Sequence, residues 1–261
     1  YGRARKSLAR AIGLGVPAAR VTLAHLLLDQ GDLEGAAREL RVSPKTAASW
    51  RATSRLHRLG RRPLEAAKAA QRAFALEASP AALVEVGRAF LLAGDPTGAR
   101  KAFARATKLK GPDAAVARSW LARQHLTANQ AQAALEAAWP LTRSKERRHR
   151  VAGHVLVAHA AAGLGMKRLA ALQTQRARYH AHTDPQALEV LVRLLLDGGR
   201  GHAVALEALR YAQGRKPDWS RLHAHRALLY GQLRRFAAAA RSAARRARAA
   251  GTSPACAPGH S

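Results

Sequence analysis

The run from residue 83 to residue 112 constrains the fold more than any other part of this sequence. Val86 and Phe90 are four residues apart and therefore share one face of a first helix, while Gly87 leaves space beside them for a second helix. Pro112 ends the second helix, because proline cannot continue one. The run predicts two antiparallel helices that pack as a hairpin, with small residues where the two backbones approach.

The same pattern recurs along the chain when each unit is aligned on the small residue early in its second helix. These anchor residues are Ala36, Ala66, Ala99, Ala134, Ala170, Ala205 and Ala239. Their successive spacings are 30, 33, 35, 36, 35 and 34 residues. Because each hairpin leaves an apolar face that only a neighbour can cover, we expect the units to stack into an all-α solenoid.

Residues 81–250 resemble tetratricopeptide repeats, whose period is about 34 residues. The third unit carries the family spacing at Val86-Gly87, Phe90, Gly94, Ala99, Phe103 and Ala106. The resemblance implies a right-handed α-solenoid with a concave groove, in which a partner peptide or helix lies across the first helices of the hairpins. It places five residues toward this groove: Glu85, Arg88, Leu92, Glu189 and Arg193.

The charge of the chain indicates what kind of partner it meets. The formal net charge is +29 and the sequence pI is about 11.8. Such a density of arginine is either solvated or neutralised by nucleic acid, an anionic membrane surface or an acidic protein. Aromatic residues make up only 5% of the chain, so recognition of single-stranded bases by stacking is poorly supported.

The first eighty residues allow two interpretations, because the repeat spacing falls to 30 there. Residues 21–62 also resemble the helix-turn-helix of LuxR-type transcription regulators, with predicted helices at 21–28, 33–40 and 45–59. The resemblance implies that the third helix enters the major groove of DNA. Three residues of suitable type would then face base edges, namely Lys45, Thr46 and Ser49. Five arginines would meet phosphates, namely Arg51, Arg55, Arg58, Arg61 and Arg62. The alternative is two degenerate repeats that cap the solenoid.

A second group of cations follows Pro140 in a predicted loop. It consists of Arg143, Lys145, Arg147, Arg148 and Arg150. Guanidinium and ammonium groups are the side chains that contact phosphates, but a charged run of this kind is also typical of a solvated face.

The sequence carries no pattern typical of an enzyme. There is no G-x-S-x-G motif, no P-loop lysine and no H-E-x-x-H motif. His180 and His182 are two residues apart, which points their rings away from each other on a helix. Cys256 lies in residues 251–261, a predicted disordered tail that offers no activating environment. We therefore expect no catalytic residues, no metal and no cofactor.

These observations predict a non-enzymatic scaffold or adaptor that binds an acidic partner protein in its concave groove. One alternative is a nucleic-acid-associated protein, either a regulator with an N-terminal helix-turn-helix or a subunit bound to RNA in an assembly. Another is a periplasmic scaffold for polysaccharide export, which requires a leader before Tyr1; otherwise a cytoplasmic location is expected. The expected divisions are an N-terminal helical region at 1–80, the solenoid at 81–250 and the tail at 251–261.

Overall fold

The computed structural model describes residues 2–111, 113–181 and 184–197, and these residues form α-helices with no β-strand among them. The helices are α1 (Gly2–Gly13), α2 (Pro17–Gln30), α3 (Leu33–Val42), α4 (Ala47–Leu59), α5 (Pro63–Leu76), α6 (Pro80–Leu92), α7 (Pro96–Lys108), α8 (Ala114–Thr127), α9 (Ala131–Ala138), α10 (Arg147–Gly163), α11 (Lys167–Ala181) and α12 (Pro185–Asp197). A short 3-10 helix, Trp139–Arg143, follows α9 directly.

The helices pack as successive hairpins, which confirms the predicted all-α solenoid. Each even-numbered helix from α2 to α10 packs against the odd-numbered helix that follows it. The even-numbered helices also contact one another in order, from α2 through α4, α6, α8 and α10 to α12. They therefore form the inner row of the solenoid, and the odd-numbered helices α3 to α11 form the outer row.

The turn inside each hairpin has the same backbone conformation. A residue in the left-handed region occurs five positions before each anchor alanine of the described hairpins. These residues are Gly31 (φ 80°), Arg61 (φ 55°), Gly94 (φ 78°), Asn129 (φ 56°) and Gly165 (φ 74°). The repeat is thus present in the backbone as well as in the sequence, from α2 onward.

The short spacing between Ala36 and Ala66 has a local cause. Helix α3 has 10 residues, whereas the equivalent helices α5 and α7 have 14 and 13. The array therefore continues through this point with a shortened outer helix, and α5 packs directly against α6 across residue 80.

The third hairpin has the core that its sequence predicts. Phe103 on α7 is completely buried and lies against Gly87 on α6. Its ring stacks on Trp120 of α8, with the two centroids 5.8 Å apart. This stack joins the third hairpin to the fourth, so one buried side chain serves packing both within and between repeats.

The predicted seventh unit, the second helix of the sixth and the tail at 251–261 lie outside the described residues. Among the helices that the structure describes, none is both long enough and apolar enough to span a membrane.

Candidate partner-binding groove

Four consecutive inner helices, α6, α8, α10 and α12, border a cavity of about 220 Å³ on the inner row of the solenoid. Its apolar floor consists of Ala115, Val116, Leu141, Ala152, Val190 and Leu194. Its charged wall consists of Arg88, Arg123, Arg148 and Arg193. No carboxylate is among the described residues that line it, so these residues combine an apolar surface with a positively charged wall.

Trp120 lies at the centre of this surface. The guanidinium carbon of Arg88 is 5.1 Å from the Trp120 ring centroid, and that of Arg123 is 4.4 Å from it. Cation–π attraction holds a guanidinium close to an aromatic ring without cancelling its charge. The indole therefore orders both guanidinium groups beside it, and Arg88 also pairs with the Glu85 carboxylate.

Two of the predicted groove residues line this cavity. Arg88 is the ninth residue of α6 and Arg193 is the ninth residue of α12, so equivalent positions of two inner helices reach the same space. Arg193 is exposed, whereas Arg88 is half-buried. The expectation that these two residues contact a partner stays a prediction.

The other predicted groove residues do not line the cavity. Glu85 is engaged within the protein, since its Oε1 accepts a hydrogen bond of 2.6 Å from Arg88 Nη1 and its Oε2 lies 3.6 Å from Arg58 Nε. Leu92 is exposed at the last residue of α6, and Glu189 is half-buried on α12. The permanently charged residues among the described lining of the cavity are therefore arginines, and not the predicted mixture of arginine and glutamate.

The sequence prediction missed several lining residues, among them Trp120, Arg148 and His149. Glu146 Oε2 lies 2.8 Å from a nitrogen of Arg148 and 3.5 Å from His149 Nδ1. Burial lowers the pKa of His149, and the nearby Glu146 carboxylate opposes that shift. The sequence feature that indicates this surface is Trp120, whose aromatic ring lies one turn before Arg123 on the same helix.

The segment that resembles a helix-turn-helix has its three helices, but its third helix is enclosed. Helix α4 packs against α5 as the first helix of a hairpin and also contacts α2, α3 and α6. A recognition helix has to project from its domain to enter the major groove. The packing of α4 corresponds to the alternative interpretation, in which this segment is a repeat of the solenoid.

The residues expected at base edges are placed differently from one another. Ser49 is only 2% exposed, and its side chain and that of Thr46 form a reciprocal capping box at the start of α4. A buried Ser49 does not reach a base edge, which corrects that expectation. Lys45 is exposed, and its ammonium lies 5.7 Å from the Trp50 ring centroid.

The arginines expected at phosphates divide into two groups. Three of them are half-buried and face carboxylates: Arg51 lies near Glu77, Arg55 binds Asp29, and Arg58 lies near Glu85. Burial lowers the pKa of Arg58, and Glu85 opposes that shift. Arg61 and Arg62 are exposed in the turn after α4. The ion pairs link α4 to α2, to the connection between α5 and α6, and to α6, so these three arginines already have partners within the solenoid.

No group of three metal-binding side chains is present in the part of the chain that the structure describes. His180 stacks on His154, with the centroids 5.3 Å apart. His182 lies outside the described residues.

Comparison with known proteins gives similarity in structure only. No family model matches the chain, and no curated protein matches it. PilF of Pseudomonas aeruginosa superposes with a TM-score of 0.57 at 16% identity, over 81% of this chain and 96% of that protein. PilW, a type IV pilus biogenesis factor, gives 0.55 at 15% identity, over 80% of this chain and 97% of its own. A tetratricopeptide repeat protein from Parabacteroides merdae gives 0.50 at 14% identity, over 84% and 87% of the two chains. With its hairpins, its repeated turn and these structural neighbours, the chain has the fold of tetratricopeptide-repeat proteins.

Proposed function

We propose that this protein is a non-enzymatic adaptor that holds an acidic segment of a partner protein in its concave groove. The observation that carries the proposal is the cavity on the inner row, where arginines from α6, α8, α10 and α12 surround an apolar floor. Arg88 and Arg193 come from helices separated by two full hairpins and still reach this one space.

The lining defines the chemistry of the bound segment. An apolar side chain of the partner fills the cavity above Val116 and Leu194, where contact with water is lost on both sides. Aspartate or glutamate residues next to it pair with the exposed Arg193, since a guanidinium group binds a carboxylate through two parallel hydrogen bonds. The field of a chain with a net charge of +29 increases the rate at which an acidic partner arrives.

A displayed library of random peptides tests this chemistry and does not require the partner itself to be identified. Peptides selected on the full chain are expected to carry an apolar residue flanked by Asp or Glu. Arg193→Glu is expected to weaken their binding by at least about tenfold, since it replaces an attractive charge pair with a repulsive one. Arg88→Gln, which removes the charge and keeps a polar side chain, is expected to weaken binding by a smaller factor.

Lys101→Glu is the matched control, because Lys101 is exposed on the outer helix α7 and the change in net charge is the same. It is expected to leave the affinity within about twofold of the wild type, since Lys101 does not line the cavity and salt screens exposed charges. Selected peptides that bind equally well to the wild type and to both groove variants would show that this cavity is not the binding site.

A further inference from the structure

A second, more open basin of about 590 Å³ lies on the other face of α10. Arg148, His149 and Ala152 of this helix border the groove, whereas Arg150 and His154 border the basin. The 3-10 helix with the loop after it forms one side of the basin, and α11 forms the other. The full lining is Thr142, Arg143, Ser144, Lys145, Arg150, His154, Arg176, Tyr179 and His180.

In the part of the chain that the structure describes, the lining carries four permanent positive charges and no carboxylate. Arg143 and Lys145 come from the 3-10 helix and the loop, Arg150 from α10 and Arg176 from α11. The acid nearest in sequence, Glu146, is hydrogen-bonded to Arg148 on the groove side and is not part of the lining. Converging cations without a counter-charge create a field that favours a small anion.

Arg150 is held in position by the backbone of the loop. Arg150 donates hydrogen bonds from Nε to the Ser144 carbonyl at 3.0 Å and from Nη2 to the Lys145 carbonyl at 3.2 Å. A guanidinium has more N–H donors than these two bonds use, and carbonyl partners do not neutralise it. Gly153 allows the loop to come this close, because a Cβ there would lie 2.6 Å from Thr142 N.

Two histidines complete the inner wall. His154 is only 4% exposed, and its Nδ1 lies 2.6 Å from Gln173 Oε1. The amide oxygen accepts the Nδ1 proton, so Nε2 is the nitrogen that gains a proton when the ring becomes charged. His180 stacks on His154 with an interplanar angle of 10°.

The histidines also report the electrostatic field of the basin. Burial lowers the pKa of His154, and the positive charges of Arg176 and Arg150 lower it further. Burial likewise lowers the pKa of His180, and His154, Arg150, Arg147 and Arg176 act in the same direction. A bound anion opposes the effect of these positive charges and raises the pKa of both histidines, so the two rings are internal probes of anion binding.

We propose that this basin binds a phosphate-type oxyanion, that is, a compact ligand with two or more negative charges and several acceptor oxygens. Guanidinium groups, of which Arg150 is ordered here by two hydrogen bonds, match the oxygens of a phosphate group geometrically as well as in charge. The site is separate from the groove and does not depend on the adaptor function, because α10 lies between the two.

Titration calorimetry with inorganic pyrophosphate and inorganic phosphate tests the proposal, with chloride used to keep the ionic strength constant. The full chain is expected to bind pyrophosphate in a one-to-one complex and phosphate more weakly. The double variant Arg143→Gln/Arg176→Gln is expected to bind pyrophosphate at least about tenfold more weakly, since it removes two charge-assisted contacts. Both arginines are exposed, so the variant is expected to fold.

The matched control is Arg38→Gln/Arg41→Gln, which removes the same charge from exposed positions of α3. Its affinity for pyrophosphate is expected to stay within about twofold of the wild type. In parallel, the NMR-titrated pKa values of His154 and His180 are expected to rise when pyrophosphate is added, and that of His25 on α2 is expected to stay constant. An equal loss of affinity in both double variants, or histidine titrations that ignore pyrophosphate, would overturn the proposal.

Discussion

The ring of Phe103 on α7 packs into the space that Gly87 of α6 leaves by having no side chain, since a Cβ at Gly87 would lie 2.5 Å from Phe103 Cε1. The ring cannot move away, because Phe103 is completely buried and stacks on Trp120. Gly87→Ala is therefore expected to lower the free energy of unfolding by about 1–3 kcal/mol, the usual effect of overpacking a core. Chemical denaturation followed by circular dichroism measures it.

Gly13→Ala is the control for this substitution. Gly13 has open space where its Cβ would lie, and alanine favours helix more than glycine does. The control is expected to be neutral or stabilising. Equal destabilisation by both variants would mean that the glycines matter for a reason other than the contact with Phe103.

The turn of the second hairpin is strained in a way that three of the other described hairpins avoid by using glycine. Arg61 has φ 55°, at the position where Gly31, Gly94 and Gly165 occur in three other hairpins. A residue with a side chain in the left-handed region costs about 1–2 kcal/mol. Glycine avoids this cost, but its greater conformational freedom in the unfolded chain offsets part of the gain. Arg61→Gly is therefore expected to raise the free energy of unfolding by about 0.5–1 kcal/mol. The reciprocal variant Gly94→Ala is expected to lower it; no change in either would contradict the assignment of strain.

The fold could be predicted from the sequence because its signals are local. The pair of Gly87 and Phe103, the glycine in the turn and the anchor alanine all lie within one hairpin. A repeat then extends a local pattern along the whole chain. The shortening of α3 was visible as a spacing of 30, but the sequence did not show whether the array stopped there or continued with a shorter helix.

The position of α4 could not be predicted in the same way. Both interpretations of residues 21–62 require the same three helices, and they differ only in whether α5 and α6 cover the third. That depends on tertiary packing. The residue types are equally ambiguous, because serine and threonine suit base edges and also cap helices.

Only some of the residues that line the groove could be predicted, because the lining also depends on tertiary packing. Arg88 and Arg193 stand at equivalent positions of two units that match the repeat well. Trp120 and Arg148 belong to the fourth and fifth units, where the resemblance to the repeat is weaker. The basic run from Arg143 to Arg150 reads as one cluster in sequence, whereas α10 divides it between the groove and the basin.

The capping box of α4 gives a direct test of the helix-turn-helix alternative. Thr46→Ala and Ser49→Ala are each expected to lower the free energy of unfolding by about 1 kcal/mol, because each removes a cap of backbone N–H groups. The double variant is expected to lose less than the sum, since the two side chains serve one box. Lys45→Ala, at an exposed position, is expected to leave stability nearly unchanged.

The same three variants are then compared for binding to DNA of random sequence. Selected sequences are expected to be alike for wild type and variants, because Thr46 and Ser49 are used within the helix cap. A changed base preference in folded Lys45→Ala would contradict this and would support a DNA-reading role for the segment.

Stability is expected to fall as the pH is lowered from 7.5 to 5. Burial is the largest cause of a lowered pKa at five histidines, namely His25, His57, His149, His154 and His180. In this range the unfolded chain therefore binds more protons than the folded one. The contribution of these histidines to the free energy of unfolding is complete above their unfolded-state pKa of about 6.5, and it is lost as the pH falls through their lower folded-state pKa values. Carboxylates titrate mainly below this range. Thermal unfolding at constant ionic strength measures the effect, and His154→Gln is expected to flatten the curve; a melting temperature that is constant or rises toward pH 5 would contradict the assignment.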